Sequence, residues 1–188
     1  IRGYDNIPVL SWLFLRGKAR CCKAPISPRY PLIELVGGLA AYAIIEVIVM
    51  GLPPETSIWK ALGLFCVHLA LTLGLVAAAF IDLEHMILPD EITLGGAALG
   101  FATSFVRPGM DWKQSGLGAV LGFLIVWLPF DFLYRKLRGQ AGMGLGDAKL
   151  LLLAGAWFGW VGALFALFVG AFQGTLAAPG AARTLPPT

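Results

Sequence analysis

The stretch LVAAAFIDLEHMILPDEIT, residues 75–93, decides how this chain is built, because in it a long apolar run ends at an acid. The run begins at Ile58 and reaches Ile81, and Asp82 follows it directly. About 20 consecutive apolar residues are needed to cross a bilayer, so the run predicts a transmembrane helix. An ionisable side chain at the end of such a helix is costly and indicates a functional site.

A second stretch, GMGLGDAKLLLLAGAWFGW at residues 142–160, reverses this order, since here the acid precedes the apolar run. Asp147 follows glycines at alternate positions and leads into an apolar run over residues 150–172. Glycine allows backbone torsions closed to other residues and close approach of another chain. Ordinary N-capping would use the same acid, and Asp82 could be a simple interfacial residue. For each acid alone, the structural and the catalytic interpretations both stay open.

The composition excludes a soluble globular domain. Of the 188 residues, 58% are hydrophobic and 13% charged, and the mean hydropathy is +0.79. We predict an all-α, polytopic transmembrane helical bundle with about five spans, over residues 32–50, 58–81, 92–106, 117–134 and 150–172. A net charge of +3 gives no support to nucleic-acid binding. The partner that the composition predicts is the lipid bilayer.

Basic residues concentrate on one side of the predicted spans. One group precedes the first span and a second lies at the junction of the fourth and fifth: Arg16, Lys18, Arg20, Lys23 and Arg29, then Arg135, Lys136, Arg138 and Lys149. The positive-inside rule therefore places the N-terminal segment and both acidic stretches on the cytoplasmic side. Asp82 and Asp147 are then expected at the same membrane face.

Two carboxylates brought together can share a proton, so that one acts as a base toward water and the other as an acid toward a substrate. This is the chemistry of aspartic peptide hydrolysis, and it needs neither a metal nor a covalent nucleophile. We therefore predict Asp82 and Asp147 as a catalytic pair. The three cysteines do not form a disulfide framework, because Cys21 and Cys22 are adjacent and Cys66 lies inside a predicted span.

The two acidic stretches resemble the signature regions of the type IV prepilin peptidases, a family of GxGD aspartic proteases. The segment DNIPVLSWLFLRGKARCCKAPISPRYPLIELVGG, residues 5–38, is similar to the cytoplasmic loop of that family. The resemblance runs from about residue 5 to about residue 170, with the motifs in the family's order. It implies a multi-pass enzyme of the bacterial inner membrane. Such an enzyme cleaves basic leaders from prepilins and pseudopilins at the cytoplasmic face and methylates the new N-terminus with S-adenosyl-L-methionine.

The same resemblance assigns individual residues. The family's catalytic aspartates fall on Asp82 and Asp147, and Gly144 and Gly146 would position the substrate backbone. By its position beside the basic loop, Glu34 would assist methyl transfer or form a structural ion pair with Arg29.

Many members of the family carry two CxxC pairs in the cytoplasmic loop. In this chain Ala19 stands where the first cysteine of one pair should be, and only Cys22 aligns. A structural zinc ion needs about four ligands, so we expect no metal site.

Three regions are predicted along the chain. Residues 1–31 would be a cytoplasmic loop segment, the remnant of the methyltransferase-associated region, and residues 32–172 the transmembrane peptidase domain. Residues 173–188 read as a disordered tail rich in Pro and Ala. The chain looks incomplete at both ends, so an inactive truncated fragment is one alternative function.

Two further alternatives belong to other classes. One is a GxGD intramembrane protease without methyltransferase activity, like the archaeal preflagellin peptidases, which the cytoplasmic loop argues against. The other is a small transporter that uses the acids as a proton relay, which predicts acids in the middle of the membrane. Asp82 and Asp147 are instead expected near one surface.

Overall fold

The computed structural model describes residue 7, residues 9–138 and residues 144–181 of the chain. In these residues the helices are α1 (Leu10–Phe14), α2 (Arg29–Ile44), α3 (Ile58–His85), α4 (Asp90–Thr103), α5 (Trp112–Val126), α6 (Tyr134–Arg138) and α7 (Leu145–Ala181). Two wider π-helical segments, Ile45–Val49 and Trp127–Leu133, continue α2 and α5. The described residues form no strand, and the predicted all-α fold class is confirmed.

Four helical stretches are long and apolar enough to cross a membrane: Arg29–Val49, Ile58–His85, Trp112–Lys136 and Leu145–Thr175. They overlap four of the five predicted spans and make this a multi-pass membrane protein, and the last of them contains a break at Gly159 that is described below. The remaining predicted span, residues 92–106, corresponds to α4, which has only 14 residues. Such a helix rises about 21 Å, short of the roughly 30 Å of hydrocarbon in a bilayer.

The chain divides into two compact units, Ile1–Phe80 and Ile81–Thr188, and α3 passes through the boundary. In the first unit the indole N–H of Trp12 donates a hydrogen bond to the Ile26 carbonyl at 3.0 Å. Gly17, with φ +69°, lies against the same ring, since a Cβ there would be 3.1 Å from the indole. These contacts fix the turn between α1 and α2.

In the second unit α7 packs closely on α4 because α4 presents glycines to it. A Cβ at Gly96 would lie 2.7 Å from Leu153, and one at Gly100 would lie 2.6 Å from Trp157. Trp157 is fully buried there, and its indole N–H donates to the Gly96 carbonyl at 2.7 Å. Small residues let helix backbones approach in this way.

α7 consists of two helical segments that meet at Gly159, whose φ of 70° and ψ of −175° are not helical. A side chain added to Gly122 of α5 would meet the Leu151 carbonyl before the break and the Ala163 Cβ after it. A straight helix would separate residues 151 and 163 by about 18 Å, so the second segment folds back along α5. The single fifth span predicted over residues 150–172 is therefore corrected to two segments.

A small apolar cluster confirms the direction of the returning segment. Val126, Ala148 and Leu151 are buried together, and Leu167 of the second segment packs against them. The second segment thus returns toward the end of the unit at which α7 begins.

The predicted tail falls partly within α7. Residues 173–181 belong to that helix, whereas residues 182–188 lie outside the described part of the chain. The division into three regions stays a prediction.

Candidate active site

Asp82 lies in the last turn of α3, close to the point where the helix ends at His85. The next residue, Met86, has φ +54°, and its N–H donates to the Asp82 carbonyl at 2.8 Å. This is the left-handed C-cap that glycine usually supplies, so a methionine there holds strained backbone. Pro89 then precedes α4, since proline fits the beginning of a helix and not its interior.

Asp147 lies in the first turn of α7, and its N–H donates to the Gly144 carbonyl at 3.2 Å. A Cβ at Gly146 would lie 3.2 Å from Cδ1 of Leu88, so glycine lets the segment after α3 approach the beginning of α7. A Cβ at Gly144 would make only an ordinary contact, 3.9 Å from the Gly146 nitrogen. The substrate-positioning role of Gly144 and Gly146 stays a prediction.

Asp82 and Asp147 line the same cavity, which has a volume of about 310 Å³. The other lining residues are Met86, Ile87, Leu88, Gly144, Gly146 and Lys149.

The side chain of Asp82 is exposed and that of Asp147 is half-buried. The two carboxylates interact electrostatically. Within the described residues, neither has a hydrogen-bond or ion-pair partner. The structure therefore brings the two predicted acids together at one cavity, while their catalytic role stays a prediction.

Lys149 is a site residue that the sequence analysis did not single out beyond its charge. It lines the cavity, and its Nζ lies 2.6 Å from Oδ1 of Asp90, the first residue of α4. Its spacing of two residues from Asp147 gave no signal, since side chains at i and i+2 of a helix do not face each other. The partner Asp90 could not be found in this way.

Glu34 belongs to the first unit, where its Oε2 accepts a hydrogen bond from the Val9 N–H at 3.0 Å. This contact ties the segment before α1 to the first turns of α2. The methyl-transfer role suggested for Glu34 stays a prediction.

Cys21 and Cys22 are exposed on the turn between α1 and α2. A hydrogen bond to the Ala24 backbone, and a second from Cys21, lower the pKa of the Cys22 thiol. Among residues 9–138 and 144–181, no three His, Cys, Asp or Glu side chains are grouped to hold a metal ion.

Two family models match the chain. That of the type IV leader peptidase family covers residues 69–178, and that of the bacterial peptidase A24 N-terminal domain covers residues 1–50. The first covers more than half of the chain. This chain belongs to the type IV leader peptidase family.

Several curated proteins named prepilin leader peptidase/N-methyltransferase are similar to the chain. That of Aeromonas hydrophila is 41% identical over 182 residues, which cover 93% of this chain and 57% of the relative. The Stutzerimonas stutzeri protein is 38% identical over 180 residues, covering 94% and 58%, and the Dickeya chrysanthemi protein is 41% identical over 165 residues, covering 85% and 52%. The chain thus spans a little over half the length of these relatives. No solved structure matches it.

Proposed function

We propose that this member of the type IV leader peptidase family is a membrane aspartic endopeptidase that cleaves the basic leader from prepilins and pseudopilins. The observation that carries the proposal is the shared cavity of Asp82 and Asp147. One acid ends a helix and the other begins one, and no described residue neutralises either. The names of the relatives support prepilins as the substrate class.

In the proposed reaction the two aspartates share one proton. The ionised carboxylate takes a proton from water while the water oxygen bonds to the scissile carbonyl carbon. The protonated carboxyl donates its proton to the carbonyl oxygen, and the tetrahedral intermediate forms. When the C–N bond then breaks, one carboxyl gives its proton to the leaving nitrogen and the other carboxylate takes a proton from a hydroxyl of the intermediate, so that the pair again holds one proton.

The cavity wall suits a substrate that is apolar on one side of the scissile bond. Met86, Ile87 and Leu88 supply an apolar surface beside the carboxylates. Gly144 and Gly146 expose main chain, along which an extended cleavage segment would lie. The basic leader would extend from the cavity into water, and the apolar helix of the prepilin would remain in the membrane.

We place the protein in the bacterial inner membrane with the cavity at the cytoplasmic face. Lys149 at the cavity, and Arg135 and Lys136 in the last turns before α7, supply the positive charge that the positive-inside rule associates with that side. Prepilin leaders are exposed to the enzyme at the same face.

Methylation of the new N-terminus is the second part of the proposal, and S-adenosyl-L-methionine would supply the methyl group. It is supported by the names of the relatives and by the match of residues 1–50 to the N-terminal family model. The Val9 contact of Glu34 does not by itself form a cofactor site, so no methyl-transfer step follows from the described residues. A protease without methyl transfer is the alternative, and transfer from labelled S-adenosyl-L-methionine separates the two.

Cleavage of a prepilin by the purified chain tests the proposal. The chain in detergent is incubated with a prepilin, and released leader is measured by mass spectrometry beside the Aeromonas hydrophila relative. We expect leader release by the chain and none by Asp82→Asn or Asp147→Asn. Folded chain that leaves the prepilin intact contradicts the proposal for this chain. A chimera with residues 69–178 in the relative then tells whether the site fails or needs the relative's remaining length.

A further inference from the structure

We propose that Asp90 is a positioning residue that keeps the Lys149 ammonium away from the two catalytic carboxylates. The inference rests on the proposed function and deepens it, because it concerns how the same site keeps its shared proton. Asp90 touches no substrate in this scheme and acts through Lys149.

The first observation is the ion pair itself. Lys149 Nζ and Asp90 Oδ1 are 2.6 Å apart, and the Lys149 side chain is only 25% exposed whereas that of Asp90 is 55% exposed. A charge that is partly withdrawn from water is screened less by salt and solvent than one at the surface. The position of the Lys149 ammonium therefore matters for the other charges around the cavity.

The second observation is the shared cavity. Lys149 lines it together with Asp82 and Asp147, and the lysine ammonium is carried on a flexible four-carbon stem. These three are the titratable groups of the cavity wall within the described residues. Glu84 and His85 lie exposed in the last turn of α3, and Asp90 and Glu91 in the first turn of α4.

The shared proton of the catalytic pair explains why the position of Lys149 matters. A catalytic pair needs one carboxyl protonated, and an ammonium beside a carboxylate favours the ionised form. A Lys149 that paired with Asp82 or Asp147 would therefore remove the proton that the reaction requires. Asp90 offers a competing carboxylate, which the dipole of α4 stabilises in its ionised form.

A purely structural role for the ion pair of Asp90 and Lys149 makes a different prediction. If the pair only tied α4 to α7, removing either partner would have the same effect, and removing both would be no better. If Asp90 instead keeps Lys149 away from the carboxylates, loss of Asp90 lowers cleavage far more than loss of Lys149. Removing Lys149 as well then restores cleavage to a variant that lacks Asp90.

The test compares Asp90→Asn, Lys149→Met, their double variant and the control Glu91→Gln in the prepilin cleavage assay. We expect Asp90→Asn to lower kcat/KM by roughly 10- to 100-fold, with the alkaline limb of its pH–rate profile moved to lower pH. Lys149→Met should lower kcat/KM by only about threefold. The double variant should have the same kcat/KM as Lys149→Met. Glu91→Gln should match the parent. Thermal unfolding of all four reports any loss of fold.

Infrared spectroscopy gives a readout that needs no cleavage. The parent should show a protonated carboxyl band near neutral pH that Asp82→Asn and Asp147→Asn each remove. Asp90→Asn should lose this band and the double variant should regain it. Parent-like cleavage or a retained band in Asp90→Asn overturns the inference, as does a double variant no better than Asp90→Asn. Infrared changes as expected with an inactive parent support the inference and count against the proposed function.

Discussion

The two ends of the contact between α4 and α7 treat polar groups in opposite ways. At one end Asp82 and Asp147 open on a cavity, and no described residue bonds to their carboxylates. At the other end Arg107 is only 8% exposed and its guanidinium is surrounded by main-chain carbonyls. The open end has two carboxylates without a described partner. At the closed end a buried guanidinium donates hydrogen bonds to main-chain carbonyls of both α4 and α7.

The closed end is built around the break in α7. A helix break leaves nearby carbonyls without helical donors, and Arg107 donates to those of Ala156 and Trp157 at 3.0 and 2.6 Å. Its Nη2 also donates to the Gly100 carbonyl at 2.7 Å, and Ser115 donates to Ala156 at 2.7 Å.

The guanidinium of Arg107 also lies over the Trp157 ring, 4.7 Å from its centroid. Burial lowers the pKa of Arg107 from its ordinary value, and the group stays charged because that value is so high. The comparison teaches that the buried guanidinium of Arg107 is held by main-chain carbonyls through both of its terminal nitrogens, whereas the carboxylates at the cavity have no such partner among the described residues.

The largest effect should come from the open end. Asp82→Asn or Asp147→Asn should lower prepilin cleavage at least 10³-fold, within the usual range for a lost acid or base. The free energy of unfolding should change by no more than about 0.5 kcal/mol, since no described residue bonds to either carboxylate. Leader release and detergent unfolding curves measure the two quantities. A variant that loses both cleavage and stability would contradict the prediction that the acids at the open end contribute to cleavage and not to stability.

The second effect concerns the closed end. Arg107→Met should lower the free energy of unfolding by about 2–5 kcal/mol, because several buried carbonyls lose their donor at about 1–3 kcal/mol each. Unfolding by a denaturing detergent measures it. Lys113→Met is the control, since this exposed lysine lies 5.6 Å from the Trp112 ring and should cost under about 1 kcal/mol. Equal losses for the two variants would contradict the structural role of Arg107.

Gly159→Ala should lower the free energy of unfolding by about 1–3 kcal/mol, because the backbone conformation at the break is nearly exclusive to glycine. The nearest atom to an added Cβ is Cε of Met110 at 4.0 Å, so sterics add little. Gly170→Ala, in the same helix with nothing within 4 Å, should instead gain roughly 0.5–1 kcal/mol. Unfolding curves that move in the same direction would show that residue 159 is not a break.

The smallest effect distinguishes two glycines of the cavity. Gly146→Ala should lower cleavage by about tenfold, because its Cβ pushes Leu88 and displaces the segment that carries Asp82. Gly144→Ala should lower it less, since its Cβ meets only an ordinary contact. Initial cleavage rates measure both, and a greater loss at Gly144 would contradict the steric argument.

The sequence predicted what depends on local pattern. Apolar runs and the distribution of basic residues were enough for the all-α multi-pass fold, and two acids at the ends of runs were enough to find Asp82 and Asp147. Gly159 sits in an unbroken apolar run, where hydropathy carries no sign of a change in direction. The role proposed for Asp90 depends on Lys149, 59 positions away along the chain, and Arg107 looks from its neighbours like an ordinary loop cation.

The turn at Gly159 also determines on which side of the membrane the last turns of α7 lie. Since the second segment of α7 runs back along α5, its last turns return to the end of the unit where Asp147 lies. A straight α7 would have carried them to the opposite end. A reporter joined just after residue 175 should therefore sense the same compartment as one placed beside Asp82 and Asp147.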